Sequence, residues 1–459
     1  MKRPTLIAGG LVAALVALGA VAGAFVLTPE IAPIDPNRQA RLDPELVQKG
    51  ASLAAFGDCN TCHTAPDGQA FAGGLPMPTP FGTIYSTNLT PDPETGIGRW
   101  SKEAFRRAMR EGVDREGRYL YPAFPYDHFT LVSDADDDAL YAFLMTRKPA
   151  HATAPVNGLP FPLNQRPLLL GWNLLFLKRG PFKPDPAHDD LWNRGAYLVE
   201  GIGHCGACHS PRNMFGAEKR NEAFAGGEAE GWRAFPINAS SPAPIPWDAD
   251  TLYGYLRQGS HGLHGVAGGP MAPVADNLAS VPDLDVRAIA VYVASLMGEP
   301  AQERREQGER LAAVAKPFGP GGKPQSGGSQ AAPPQAAGGV GAAIYGGACA
   351  SCHESGRPVP YGGIDLALST VINGENPRNL LNILLAGLPA ADDVRAPIMP
   401  AFGAILTDAQ IGALTSYLRS KFTTKPAWSD IRAQLREARD DRADANLSWD
   451  ARQISATSH

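Results

Sequence analysis

Cysteine is scarce in this chain of 459 residues: there are six. All six lie in three short runs, so none is left over for a structural disulfide. No G-x-G-x-x-G opens a helix after a strand, which removes the usual dinucleotide cradle. No other stretch reads as a pterin, flavin or nucleotide site. Basic residues form no patch, and the formal net charge is −5. That balance excludes the phosphate-neutralising surface of a nucleic-acid binder. Strand-type alternation is sparse, and helical periodicity dominates.

What is present is one pentapeptide pattern, repeated. Cys59-Asn60-Thr61-Cys62-His63, Cys205-Gly206-Ala207-Cys208-His209 and Cys349-Ala350-Ser351-Cys352-His353 each read C-x-x-C-H. Two thiols on one helical turn are placed to form thioethers with the two vinyl groups of one porphyrin. The following histidine then aims its imidazole at the iron. One copy alone would be compatible with a zinc or thioredoxin-like site. Three copies, 146 and 144 residues apart and consuming every cysteine, favour three covalent haem c groups. The expected attachment residues are Cys59, Cys62, Cys205, Cys208, Cys349 and Cys352, and the proximal ligands are His63, His209 and His353.

Compartment is read from the start of the chain. Met1-Lys2-Arg3 is basic, and the 23 residues from Thr5 to Leu27 carry no charge. That is longer than a usual secretory core and long enough to span a bilayer, although Ala22-Gly23-Ala24 offers a cleavage pattern. An uncleaved anchor is favoured over a removed signal. Either one puts the rest of the chain on the periplasmic face of the inner membrane.

The fold class expected is all-α, with three tandem cytochrome c domains behind the N-terminal transmembrane or signal segment. The same order of features follows each haem run: Phe71-Ala72-Gly73-Gly74, Asn88 and Trp100, then Phe224-Ala225-Gly226-Gly227, Asn238 and Trp247, then a trimmed Tyr361-Gly362-Gly363 and Asn373. Each unit closes on an amphipathic helix. The last of these opens with Thr407 as N-cap and Gln410 as its capping-box partner. The expected division is an anchor (1–28), domain one (40–150), an interdomain segment (151–186), domain two (187–300), a flexible linker (301–339), domain three (340–425) and a polar tail (426–459). Leu168 to Leu177 is too apolar for a solvated linker. It reads as an interdomain core segment or, failing that, a docking surface for a partner subunit or the membrane. The tail offers a short helix with Trp428, Ile431 and Leu435 on one side, solvated or docked on a partner. The linker's Gly/Pro/Ala composition suggests that domain three moves relative to the others.

An electron-carrying haem usually has both axial positions filled, and a thioether there raises its potential. Met399, in Pro397-Ile398-Met399-Pro400, lies 46 residues after His353, and Met271 lies 62 after His209. These are the expected distal ligands, with a packed loop methionine as the alternative for Met399. His261 and His264 compete with Met271, and are otherwise expected to be solvated or bound to haem propionates. In domain one the corresponding position is Phe124, which cannot ligate iron. His128 is preferred there, with Met109, Met77 or an open iron as alternatives. A bis-histidine first haem would sit at lower potential than the other two, and electrons would then run downhill out of domain one.

Ser86-Thr87-Asn88-Leu89-Thr90-Pro91-Asp92-Pro93-Glu94-Thr95-Gly96-Ile97-Gly98, Leu120-Tyr121-Pro122-Ala123 and Trp192-Asn193-Arg194-Gly195-Ala196-Tyr197-Leu198-Val199-Glu200 resemble the tri-haem cytochrome c subunits of membrane-bound bacterial dehydrogenases. The resemblance covers about residues 40 to 425. It implies a subunit without substrate chemistry of its own that passes electrons from a dehydrogenase catalytic subunit to ubiquinone. Alcohol dehydrogenase-type members have Met where this chain has Phe124. Pro122 to Thr130 instead resembles cytochromes that accompany molybdopterin and iron–sulfur subunits acting on aldehydes or N-heterocycles. That partner is favoured over PQQ alcohol dehydrogenases and flavin-dependent sugar or gluconate dehydrogenases. A haem enzyme with an open iron in domain one, and a donor to a terminal oxidase, are the remaining readings.

Overall fold

The structure, a computed structural model, describes residues 28–36, 42–314, 339–354, 363–388 and 399–445. The expected N-terminal anchor, the Gly/Pro-rich part of the linker and the approach to Met399 from Pro397 lie outside them. Among the described residues helices dominate, and strands occur as three two-stranded antiparallel hairpins. None of these helices is long and apolar enough to cross a membrane. The chain forms two compact units, one of residues 1–53, 68–183 and 215–217, the other of 54–67, 184–214 and 218–459.

In the first unit, α1 (Pro44–Phe56) meets α5 (Asp134–Leu144) at Gly50, where an added Cβ would fall 2.0 Å from the Ala139 oxygen and 2.7 Å from Phe143 Cβ. The cysteine turn α2 (Cys59–Cys62) follows α1 and belongs to the second unit. A hairpin of β1 (Pro76–Thr79) and β2 (Gly82–Tyr85) pairs Pro76 with Tyr85 and Thr79 with Gly82. Helix α3 (Lys102–Glu111) starts on the Ser101 side chain, which accepts from the Ala104 amide, and ends at Gly112 in the left-handed region, φ 62°. It buries Ala104, Phe105, Ala108 and Met109. Its Arg110 pairs at 2.6 Å with the buried Asp137 of α5, and Lys102 pairs at 3.0 Å with Asp138. The acidic start of α5 thus complements both its own dipole and the basic face of α3. The one-turn helix α4 (Tyr126–Phe129) lies between these two in sequence. The Asn88 amide donates to the Ala150 oxygen at 2.7 Å, tying the Ser86–Gly98 loop to the segment leaving α5.

Helix α6 (Leu169–Phe176) docks one side on this unit through Trp172 and Asn173, while Leu168, Leu174 and Leu175 are exposed. The interdomain segment is therefore only half core.

In the second unit, α7 (Asp190–Tyr197) leads toward the second cysteine turn, α8 (Gly206–His209). Hairpin β3 (Gly227–Ala229) and β4 (Trp232–Ala234) follows, then α9 (Ala249–Gln258), and a short pair β5 (Ser260–His261) and β6 (Gly265–Val266). Next come α10 (Met271–Leu278) and α11 (Asp283–Met297). Gly195 of α7 meets α11 as Gly50 meets α5: its Cβ would fall 2.0 Å from the Ala288 oxygen and 2.7 Å from Tyr292 Cβ. The Arg194–Asp285 pair, 2.7 and 2.9 Å, braces this crossing.

Helix α12 (Gln302–Val314) occupies residues expected to begin a flexible linker. Helix α13 (Gly339–Ile344) then precedes the third cysteine turn, α14 (Ala350–His353). After α15 (Thr370–Asn373) and α16 (Arg378–Ala386), α17 (Asp408–Phe422) closes the repeat with the Thr407–Gln410 capping box. Gly341 sits against it with its Cβ position 2.3 Å from the Ala413 oxygen and 2.8 Å from Tyr417 Cβ. A glycine crossing an alanine carbonyl and an aromatic Cβ four residues on thus occurs three times.

Two expectations are corrected here. The short helix expected in the tail forms as α18 (Ile431–Ala445), but it is not solvated: its Leu435 and Ala438 are buried in the same core as Leu414 and Leu381. Residues of the third repeat also dock on the second. Asn379 brackets Arg233 on both backbone groups, at 2.8 Å each, and Arg378 and Asn382 both donate to the Gly231 oxygen at 3.0 Å. These bonds argue against a third repeat that swings freely. Polar side chains that satisfy a neighbour's backbone while buried fix orientation as well as contact.

Candidate functional site

Each C-x-x-C-H run forms one short helical turn, so its two cysteines lie on the same side and its histidine at the C-terminal end. In the second run a π-type turn kinked at Gly201, Leu198–Ile202, precedes the motif, and in the third the corresponding turn, Tyr345–Cys349, runs into the first cysteine. Such bulges re-aim the residues after them.

The second and third histidines share a further arrangement. His209 Nδ1 lies 2.7 Å from the Phe235 oxygen, and His353 Nδ1 lies 2.9 Å from the Ile364 oxygen. A proton donated from Nδ1 to a carbonyl leaves Nε2 as the lone-pair nitrogen, which is the tautomer an iron needs. Burial holds both imidazoles below their ordinary pKa, partly opposed by those carbonyls. Both rings are accordingly neutral at physiological pH.

Glycines allow the close approach. A Cβ at Gly363 would lie 2.6 Å from His353 Nδ1, and one at Gly227 would lie 2.3 Å from the Cys208 oxygen. The Gly226 amide also donates to the His209 oxygen at 2.7 Å. Hairpin β3–β4 is thus bonded to the His209 backbone at one end and to its ring, through Phe235, at the other.

The first turn is held differently. Asp58 enters it in the left-handed region, φ 48°, and accepts at 2.5 Å both from Thr61 Oγ1 and from the Asn277 amide of α10. The His63 amide closes the turn on the Cys59 oxygen at 3.0 Å. Burial, and for Cys59 then the charge of Asp58, pushes the thiols of Cys59 and Cys205 up to about 12. Cys208 and Cys349 rise to about 11, again chiefly by burial. Cys62 and Cys352 are exposed.

Paired thiols on one turn and a neutral imidazole whose Nδ1 is already committed together fit a covalently held haem.

Met271 is the first residue of α10 and is half-buried. Met399 is half-buried against the third core, and its backbone exchanges two bonds with Leu388, at 2.8 and 2.9 Å. Gly387 makes that pairing possible: it has φ 72°, and a Cβ there would fall 2.3 Å from the Met399 oxygen. His128 is half-buried on α4, beside an aromatic cluster in which Phe124 lies 5.2 Å from Phe129. Met109 is buried in the face of α3, and Met77 is in strand β1 paired with Ile84.

His264, expected to be solvated or bound to a haem propionate, is not solvated. It is buried, stacked at 3.5 Å on Trp247, and neither ring nitrogen has a hydrogen-bond partner among the described residues. Burial, with His261 5.4 Å away, pushes its pKa down to about 3. The recurrent glycine crossing also went unread in the sequence, although Gly50, Gly195 and Gly341 stand at similar distances before their cysteines.

Known proteins are similar to this chain in sequence. The family model described as cytochrome C oxidase, cbb3-type, subunit III matches residues 336–418. The chain is 46% identical over 427 residues to a nicotinate dehydrogenase subunit of Pseudomonas putida, covering 92% of this chain. It spans only about a third, 34%, of that protein's length. It is 37% identical over 408 residues to the fructose dehydrogenase cytochrome subunit of Gluconobacter japonicus, covering 85% of this chain and 82% of that one. To the gluconate 2-dehydrogenase cytochrome c subunit of Pantoea cypripedii it is 36% identical, with 82% and 86% covered.

Proposed function

The chain belongs to the cytochrome c subunits of dehydrogenase complexes, and from that premise we propose that it is a three-haem electron carrier on the periplasmic face of the inner membrane. It takes electrons from a dehydrogenase catalytic subunit and delivers them to ubiquinone. The observation that carries the reading is the threefold recurrence of a C-x-x-C-H turn with its glycine-crossed helix pair. Three tandem cytochrome c domains are the economical explanation of that recurrence.

Bound haem supplies a one-electron couple at each iron. The chain's own residues do the rest. The cysteine pairs would hold each macrocycle covalently, and His63, His209 and His353 would each offer an imidazole nitrogen to its iron. The Phe235 and Ile364 carbonyls fix the tautomer of the second and third of these histidines. Met271 and Met399 would complete the ligation of the second and third irons, where a thioether raises the potential, and His128 would do so for the first. The uncharged run Thr5–Leu27 anchors the chain.

The favoured partner contains molybdopterin and iron–sulfur centres and oxidises an aldehyde or an N-heterocycle. Its support is the Pro122–Thr130 run and the similarity to a protein named as a nicotinate dehydrogenase subunit. Extraction from the native membrane with co-purifying subunits tests this. Molybdopterin in the complex, with haem reduction on adding nicotinate or an aldehyde, is the expected result. PQQ or flavin in its place would contradict the partner assignment.

A further inference from the structure

Large apolar side chains on the first unit are exposed along one stretch. Phe161 is 80% exposed, Leu174 77%, Leu175 72% and Leu168 55%. Helix α6 does not display them by accident of a loose loop. Its other side is fastened: Asn173 is buried, accepts from the Tyr126 hydroxyl at 2.7 Å and donates to the Glu111 oxygen at 3.2 Å. Trp172 donates to the Phe215 oxygen at 3.1 Å and meets the Tyr126 ring edge-on at 5.7 Å. Gly171, on the same side as Leu168 and Leu175, faces open space. The leucines are held outward by a rigid seat.

The charge of the segment that carries them is one-sided. Residues 151–184 contain Arg166, Lys178, Arg179 and Lys183 and no aspartate or glutamate, in a chain with 46 acidic residues overall. Lys178 and Lys183 are exposed. Arg179 is paired at 3.1 Å with Glu111 of α3, which leaves Lys178 and Lys183 as the cations that count. Leucine and aromatic side chains flanked by such lysines are the composition of a helix lying in a lipid interface. Eight residues rise only about 12 Å, too short to cross a bilayer of roughly 30 Å and long enough to lie along its surface. A protein partner would be expected to bring or accept charges of both signs at the rim of such a patch.

We propose that α6 and Phe161 dock the first unit on an anionic phospholipid surface, with Leu168, Leu174 and Leu175 entering the acyl boundary and Lys178 and Lys183 resting among the headgroups. The inference rests on the outer-face reading above. It adds a second point of membrane contact, far in sequence from Thr5–Leu27, that would fix how the cytochrome stands on the bilayer.

The test uses the full-length, haem-loaded chain with a nitroxide on Leu174→Cys, and Leu284→Cys as an exposed control on the second unit. The native cysteines are occupied by thioethers and do not take the label. Each is mixed with vesicles of phosphatidylcholine and phosphatidylglycerol, and collision rates with oxygen and with a water-soluble nickel chelate are read by power saturation. The expected result at Leu174→Cys is a rise with oxygen and a roughly tenfold fall with the chelate, as a polar probe is excluded from the acyl region. Leu284→Cys stays unchanged. A chain that binds the vesicles while position 174 remains as open to the chelate as in solution overturns the docking and leaves the anchor intact. A chain that does not bind vesicles at all overturns both. Shielding of position 174 only by the dehydrogenase's catalytic subunit would assign the patch to that protein instead.

Discussion

The ring nitrogen Nδ1 of His353 lies 2.9 Å from the backbone oxygen of Ile364, eleven residues further on. His209 makes the equivalent contact with Phe235 at 2.7 Å. Backbone from outside the motif therefore sets the tautomer of each histidine, and the motif alone does not complete a ligand.

Gly363 keeps that contact open, because a Cβ there would fall 2.6 Å from the ring. Gly363→Val is expected to push the His353 imidazole off its position. The low-spin ferric signal of one haem should be lost or converted to high spin, with the other two unchanged. An unaltered spectrum would show that the ring is not confined by this glycine.

The distal assignments predict potentials. Replacing Met399 or Met271 by His exchanges a thioether for an imidazole, which favours the ferric state. Each variant should lower one midpoint potential by on the order of 0.1 V, a modest part of the ~0.8 V that axial ligands span. Potentiometric titration with spectra of the single variants checks this. A midpoint that does not move would remove that methionine from the iron.

The docking of the third repeat on the second predicts a stability loss. Asn379→Ala leaves the Arg233 amide and carbonyl without partners, which costs about 1–3 kcal/mol. Arg378→Met additionally frees Gly231 and the α18 acids Glu437 and Asp441. Limited proteolysis should then cut ahead of α18 faster than in the parent protein, with haem content retained.

Acid should act through His264. Its folded pKa of about 3 lies below the ordinary 6.5. Between those values the unfolded chain binds a proton that the folded chain refuses, so stability falls as pH drops from 6.5 toward 3. His264→Phe keeps a flat ring against Trp247 and removes that proton. Its melting temperature should decline less between pH 7 and pH 4.5 than the parent's, and an identical decline would contradict the assignment.

Much of this was legible in the residues. The C-x-x-C-H runs announce their chemistry, and Thr407 with Gln410 announces a helix start, because both depend on neighbours in sequence. The Phe235 and Ile364 carbonyls could not be read, since any residue supplies a carbonyl and only the fold brings it round. Gly50, Gly195 and Gly341 were visible but mute until each was found against an alanine carbonyl of a helix 72 to 93 residues away. The final helix was legible with Leu435 on its apolar side, but its seat was not, for a related reason. Its charged surface dominates its composition, while Leu435 and Ala438 suffice to seat it on a core that lies elsewhere in the chain.

The central claim is three haems on one polypeptide. The alkaline pyridine haemochrome of the purified chain, measured against its polypeptide concentration after removal of non-covalent haem, tests it most directly. The account predicts three covalent haems per chain, falling to two in the Cys205→Ser/Cys208→Ser variant. Two or fewer in the parent protein would contradict it.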